Sequence, residues 1–408
     1  MKRISASVAT LVVSTFALSL EAIAAEATAT TDNFSQFVQD FKAKALASGI
    51  SEATYDREMA TVEVRPVVID RNANQPEFVR PIWSYLSSAV SERRVADGKA
   101  NMAAKLSTLS PIATQYDVDA SIIAAIWGLE SAYGAIQGDH DVLSAVSTLA
   151  YQGRRQKYGQ QQLLGALEII DKGYASRSQL KGSWAGAMGQ TQFIPTTYLS
   201  YAVDADADGR RDLWSNHSDV FASTANYLSR SGFDGGQPWG FEVTLPIDFD
   251  YSDASLGTKK PVALWASLGV MPIGKSFSER GADLNAEASV IVPAGAAGPA
   301  FVVFGNFRAI LKYNNATSYA LGVGMLSDVL AGTHQPLKKG WPTDDRPLTL
   351  SERKSLQQAL ADKGFNPGPV DGIVGAGTKR ALRAWQQSVS LPADGYASAK
   401  LLDQLLDR

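Results

Sequence analysis

Two stretches hold carboxylates in settings that ask for an explanation. In DADADGRRD (204–212), Asp204, Asp206 and Asp208 alternate and Gly209 follows, which is the opening of a D-x-[DN]-x-[DN]-G calcium loop. Alternate residues place hard oxygen ligands around one cation, and the glycine permits the sharp turn; without a cation the three acids repel one another. Position 12 of such a loop usually supplies a bidentate Glu, but here it is Ser215, and Asp219 four residues on is placed to close a longer loop. In WGLESAYG (127–134) a single acid, Glu130, follows the apolar run SIIAAI.

If SIIAAIWGLESAYG is one helix, Ile126 and Tyr133 share the face of Glu130. Apolar surroundings disfavour an ionised carboxyl and raise its pKa. An acid still protonated near neutral pH can protonate a leaving glycosidic oxygen. The same pattern fits a Glu that satisfies a buried backbone group or an Arg, and the local sequence does not choose. SWAGAMGQTQFIP (183–195) is crowded with Gly and Ala, which allow close approach of a ligand or of another helix, and adds Gln190, Gln192 and Phe193. In YQGRRQKYG (151–159) the cations Arg154, Arg155 and Lys157 lie beside Tyr151 and Tyr158, as on a solvated face or a surface for a glycan bearing acidic peptides. The histidines, His140, His217 and His334, show no HExxH spacing, against a zinc peptidase or amidase; G-x-S-x-G and Cys nucleophiles are absent from the sequence.

The elements that must position these residues are mostly helical. FSQFVQDFKAKALASGI, IWSYLSSAVSERRVADGKANMAAKL and SIIAAIWGLESAYGAI carry apolar residues at helical spacing. After Gly240 the texture changes, and FEVTLPIDF, SVIVPAG and FVVFGNF read as short strands between turns. YALGVGMLSDVL returns to helix, and QPLKKGWPTDDRP (335–347) reads as a linker. The last segment, 348–408, alternates helices with Asp-Gly turns at Asp371-Gly372 and Asp394-Gly395, a weak internal repeat.

A chain of 408 residues suffices for two or three domains, and its 45% hydrophobic and 19% charged content is that of a globular protein. A formal net charge of −3 argues against a nucleic-acid binder. Lys2 and Arg3, the apolar run VATLVVSTFALSL and the small residues around Ala22 and Ala24 make residues 1–25 a signal peptide. With no Cys after that run there is no lipid anchor, and with no Cys in the chain there is no disulfide framework. The expectation is an exported, periplasmic protein without a membrane anchor after cleavage, acting as a monomer.

Taken together, WGLES, GAMGQTQFIP, the DxDxDG loop, KYNNATSYALGVG (312–324) and DRNANQPEF (70–78) resemble the lytic murein transglycosylases of the membrane-bound lytic transglycosylase B type, over roughly Phe34 to Gly332. DGIVGAGTKRAL (371–382) is similar to the small three-helix peptidoglycan-binding domain of cell-wall enzymes. The resemblance implies a mainly α fold: a lysozyme-like helical core with a β-containing insertion, spanning 33–334, and a three-helix domain at 348–408. It implies Glu130 as the single acid/base, cleaving the β-1,4 bond between N-acetylmuramic acid and N-acetylglucosamine of peptidoglycan glycan strands. The muramyl C6 hydroxyl then closes a 1,6-anhydro ring, and no water enters the product. It places Ser183, Gln192, Phe193, Tyr158, Arg154, Arg155, Tyr227, Tyr313, Asn314 and Tyr319 around the substrate. It assigns a structural calcium, and no organic cofactor, to Asp204, Asp206, Asp208, the Arg210 carbonyl and, after one inserted residue, Asp219. Two other readings stay open: a water-using muramidase with Asp139 or Asp141 as second base, and an inactive wall-binding protein.

Overall fold

A computed structural model describes residues 33–73 and 80–407. The signal-peptide stretch and part of DRNANQPEF lie outside the described residues. Within them, no helix is long and apolar enough to cross a membrane. The described residues fall into two compact units, one of 33–73 with 137–200, the other of 80–136 with 201–407.

The first unit is built from a helix over 33–47, Glu52–Met59, Pro66–Ala73, Val142–Tyr151 and Gln156–Asp171. Asp141 starts the Val142 helix by accepting the Ser144 N–H (3.2 Å) and Oγ–H (2.6 Å), which satisfies one of the orphan donors of a helix start. Arg177 pairs with the same carboxylate at 3.0 Å. Two-residue strands, His140–Asp141 and Lys181–Gly182, pair antiparallel and fix the start of the Ser183 loop.

In the second unit the core gathers around helix Ala120–Ser131, whose residues 121–128 are all buried. Helices Thr317–Ala331, Glu92–Ala104 and His217–Arg230 pack on it. The run read as one helix from Ile82 to Leu106 is broken. Ile82–Ala89 ends at Val90, and Ser91 caps a new helix by accepting the Arg94 N–H at 3.4 Å. A serine ahead of Glu92 is a start signal, and here it outweighs the continuous apolar spacing. The β insertion is one antiparallel sheet in the order Lys260–Pro261, Glu287–Ile291, Ala300–Val303, Gly240–Thr244, Met271–Pro272. Its own core holds Phe241, Val262, Trp265, Val290, Val302 and Phe304. The strands are shorter than the runs read from sequence: Pro246 follows the first by two residues, and FGNF turns into helix Gly305–Tyr313.

The segment 335–347 has no regular secondary structure, yet it is pinned. Glu242 accepts the backbone N–H groups of Lys338 (2.7 Å) and Lys339 (2.9 Å), and Trp341 stacks on Phe301. Beyond it, helices Leu350–Asp362, Ala376–Ser388 and Ala399–Asp407 close over Leu356, Leu360, Leu382, Trp385 and Leu405. Thr349 and Glu352 form a reciprocal capping box at the first of these helices. The internal repeat has a physical basis. Gln357 accepts the Gly372 N–H (2.7 Å) and donates to Asp371 (3.1 Å), while Gln386 accepts the Gly395 N–H (2.8 Å) and donates to Asp394 (2.7 Å). Each Asp-Gly turn is thus held by a buried glutamine on the preceding helix.

Candidate active site

Glu130 is the penultimate residue of helix Ala120–Ser131. The helix does not run on to Tyr133 as its sequence spacing implied. Ala132 and Tyr133 both adopt left-handed backbone (φ 49° and 60°), which reverses the chain. The Tyr133 ring folds back over Gly128, where a Cβ would stand 2.5 Å from it, and packs edge-on to Trp127. Its hydroxyl donates to the Arg94 carbonyl at 2.9 Å. Tyr133 therefore locks the helix end from behind instead of sharing the face of Glu130. Positive φ at two non-glycine residues is a conformation that surrounding packing has to impose.

The Glu130 side chain keeps partial solvent access, but its carboxyl is enclosed, and burial pushes its pKa up to about 7. The opposing influence is a hydrogen bond: the Tyr319 hydroxyl donates to Oε1 at 2.6 Å. Position reinforces burial, since the last turn of a helix is the negative end of its dipole and disfavours a carboxylate. Tyr319 itself is held well above the usual phenol range, by burial first and by the Glu130 charge, so it remains a donor.

Tyr319 begins a row of aromatic rings. Tyr313 stacks on it (6.5 Å, 12°), Tyr227 meets Tyr313 edge-on at 4.9 Å, and Tyr201 packs on Tyr227 at 4.6 Å. Arg230 sits over the Tyr201 ring at 4.9 Å. The Tyr227 hydroxyl donates to the Lys312 carbonyl, and Asn314 is exposed at the end of helix Gly305–Tyr313. Glu130, Tyr227, Tyr313 and Tyr319, far apart in sequence, therefore meet in one unit. Two members of this set were missed. Tyr201 ends the row, and Tyr85 on helix Ile82–Ala89 feels the Glu130 charge, which with burial raises its pKa. Nothing in IWSYL or YLSYAV separates these tyrosines from core residues.

The other expected substrate residues lie together in the first unit. Ser183 Oγ accepts the Ala187 N–H (3.0 Å) and the Ala185 N–H (3.3 Å), tying a tight loop. Tyr158 donates to the Ala185 carbonyl at 2.9 Å and lies under the Arg155 guanidinium at 5.0 Å. Gln192, in left-handed backbone (φ 51°), spends its amide N–H groups on the carbonyls of Gln137 (3.0 Å) and Gly189 (2.8 Å). Phe193 is buried in the same loop, while Arg154 and Arg155 are exposed beside helix Gln156–Asp171.

In the acidic loop, carboxylate oxygens of Asp204, Asp206 and Asp219 come within 4.8 Å of one another. Asp219 is fully buried on helix His217–Arg230 and accepts the backbone N–H groups of Ala205 (2.8 Å) and Asp212 (2.7 Å). Burial, helped by Asp206 and Asp204, pushes its pKa up to about 6. A buried acid converging with two others is a donor set that suits a hard divalent cation. Asp208 stands outside the triplet, accepting the Arg210 N–H at 2.8 Å, and Ser215 bonds Asp212 instead of the loop centre. Asn216, not singled out from sequence, donates to Asp206 at 2.7 Å.

Residues 33–328 match the family model described as the transglycosylase SLT domain, and residues 349–405 match a putative peptidoglycan binding domain. The crystal structure of SltB3 from Pseudomonas aeruginosa in complex with NAG-NAM-pentapeptide is similar at TM-score 0.86 and 49% identity, covering 91% of this chain and 99% of that one. The Escherichia coli lytic transglycosylase Slt35 in complex with calcium gives TM-score 0.61 at 25% identity, covering 74% and 94%. The membrane-bound lytic murein transglycosylase B of Escherichia coli K12 is 31% identical over 222 residues, 53% of this chain and 58% of that protein's length. The mainly helical fold, the small sheet and the C-terminal helices read from sequence are those of these neighbours, and the chain belongs to the transglycosylase SLT family.

Proposed function

We propose that this chain is a lytic transglycosylase that cleaves the β-1,4 bond between N-acetylmuramic acid and N-acetylglucosamine in peptidoglycan. The observation that carries the reading is Glu130: one enclosed carboxyl, with pKa near 7, oriented by a tyrosine hydroxyl. Because Tyr319 donates to Oε1, the acid proton sits on Oε2. That proton passes to the glycosidic oxygen as the bond to C1 breaks. The resulting carboxylate keeps the Tyr319 hydrogen bond and takes the proton of the muramyl C6 hydroxyl as that oxygen bonds C1. The products are a free sugar 4-hydroxyl and a 1,6-anhydro ring, with no water consumed.

Among the described residues no second carboxylate contributes to the Glu130 shift, which favours a one-acid mechanism over the usual pair. Asp141, one option for a hydrolytic base, is committed elsewhere. Burial would raise its pKa, but Ser144 and Arg177 outweigh burial and hold it below the usual carboxylate range. Two similar structures support this substrate and this ion respectively: SltB3 was crystallised with a NAG-NAM-pentapeptide, and Slt35 with calcium. In this reading residues 33–334 cut the strand, 348–408 grip it, the tyrosine row beside Glu130 lines the sugar path, and Asp204, Asp206 and Asp219 hold a structural calcium. Residues 1–25 direct export to the periplasm, where the protein acts as an unanchored monomer.

The test is mass spectrometry of material released from purified sacculi by the wild-type chain and by Glu130→Gln. Muropeptides ending in 1,6-anhydromuramic acid, absent with Glu130→Gln, are expected. Free reducing muramic ends would make water the acceptor and overturn the one-acid mechanism.

A further inference from the structure

A cleft of about 530 Å³ separates the C-terminal module from the body that carries Glu130. Its module side presents Arg353, Lys379, Arg383 and the turn at Asp394; facing them are Arg80 and the pair Thr317–Ser318. Four cations thus line one cleft with a single acid, in a chain whose formal net charge is −3.

That acid already accepts three hydrogen bonds. One Asp394 oxygen accepts from Gln386 (2.7 Å) and the Tyr396 N–H (2.9 Å), and the other accepts the Ala296 N–H (2.7 Å). None of the four cations takes part in an ion pair among the described residues. Arg80 donates to Ser84, and Arg353 to the carbonyls of Gly372 and Leu348. Nε of Arg383 is buried with no hydrogen-bond partner. Asp250 feels the Arg383 charge only from beyond ion-pair distance. A buried donor left unpaired is costly, and such an atom calls for a missing acceptor.

The volume suits a short peptide, and unpaired guanidinium and ammonium groups select carboxylates. In a murein strand the sugar hydroxyls and acetamido groups are neutral, and the lactyl carboxyl is amidated, so the free carboxylates belong to the peptides. We propose that this cleft binds the carboxylates of a murein stem peptide, held jointly by the C-terminal module and the catalytic body. The proposal rests on the peptidoglycan reading above and adds which part of the polymer this face recognises. Thr317 and Ser318 open the helix that carries Tyr319, so a bound peptide touches the helix whose hydroxyl orients Glu130.

The experiment is calorimetric titration of the full chain with the free tetrapeptide L-Ala-D-Glu-meso-diaminopimelate-D-Ala, with inorganic phosphate and a peptide-free glycan oligomer as separate titrants. The double substitution Arg383→Gln with Lys379→Gln should weaken peptide binding on the order of tenfold or more and flatten its salt dependence. Arg380→Gln, on the same helix but outside the cleft, should not. If the double variant fails to fold, Arg80→Gln tests the opposite wall without touching the module. Equal peptide binding by wild type and variants, phosphate binding as tight as the peptide's, or binding of the glycan oligomer alone would each overturn the proposal. Product release from sacculi by the wild type is followed in parallel. Product without peptide binding overturns the cleft alone, whereas no product overturns the reading beneath it.

Discussion

Trp239 packs its indole against the backbone of Gly324, so closely that a Cβ built on the glycine would stand 2.4 Å from two ring carbons. The ring cannot withdraw easily: its Nε1 donates to Asp328 at 3.1 Å, and it stacks on Phe307 at 6.2 Å. Alanine normally improves a helix interior over glycine by roughly 1 kcal/mol, while overpacking against a fixed group costs about 1–3 kcal/mol. Gly324→Ala should therefore destabilise the chain by on the order of 1 kcal/mol, up to about 2, read from its denaturation midpoint. An unchanged midpoint would mean that the indole has room to move.

Tyr319→Phe removes the one hydrogen bond that opposes burial at Glu130, so the Glu130 pKa should rise further above 7. If the protonated acid starts the reaction, activity falls as pH rises through that pKa. In the variant this alkaline limb should move up by about one unit, since a hydrogen bond to a charged group is worth roughly 1.5–3 kcal/mol. Turnover should drop roughly tenfold as the carboxyl loses its orientation. A pH–rate profile whose limb stays in place would separate Tyr319 from the titration of Glu130.

The same raised pKa has a cost in stability. Glu130 titrates near 7 when folded and near 4.5 when free, so its favourable contribution is complete below pH 4.5 and is lost as pH rises through 7. Above pH 7 the penalty is on the order of 3 kcal/mol. Glu130→Gln stays neutral and keeps an acceptor for Tyr319. Its advantage over wild type in urea unfolding should be small at pH 5 and clearly larger at pH 8. Other raised acids, such as Asp328, are common to both proteins and cancel in the difference. A gap that does not widen between pH 5 and pH 8 would contradict the buried-acid account.

Calcium should raise the melting temperature in a concentration-dependent way, by about 2.7 kcal/mol of stability at a hundred times the dissociation constant. Chelation should reverse this. Asp219→Asn, which removes the buried member of the triplet, should abolish the calcium dependence. A melting temperature indifferent to calcium in the wild type would leave the triplet a purely hydrogen-bonded turn.

The elements around Glu130 were legible where local physics decides them: the apolar SIIAAIWG run became the buried helix, and each Asp-Gly pair became a turn ahead of a helix. Local pattern failed where a distant residue decides. Tyr133 reads as a helical neighbour of Glu130, but the left-handed pair at Ala132 and Tyr133 sends it to Gly128 and Arg94. Tyr85 and Tyr201 look like ordinary core tyrosines until the fold brings them to Glu130 and Tyr227. In the acidic loop the alternation of Asp204, Asp206 and Asp208 suggested three equivalent ligands. Asp204 and Asp206 converge with Asp219 from the next helix, already read as the closing acid, while Asp208 accepts the Arg210 N–H. The Asp-Gly repeat was visible, but its partners Gln357 and Gln386 were not, because a glutamine in an amphipathic helix gives no sign of which turn it holds.

The clamp of Glu242 on the Lys338 and Lys339 backbone, with Trp341 against Phe301, bears on how a wall-gripping module works. A module on a loose tether raises local concentration and leaves the place of cutting to chance. A module clamped to the catalytic body loses its ordering entropy once, on folding, and not at each encounter with the wall. If residues 348–408 hold a wall strand and Glu130 cuts it, the offset between the two is set by the fold and not by the sweep of a tether.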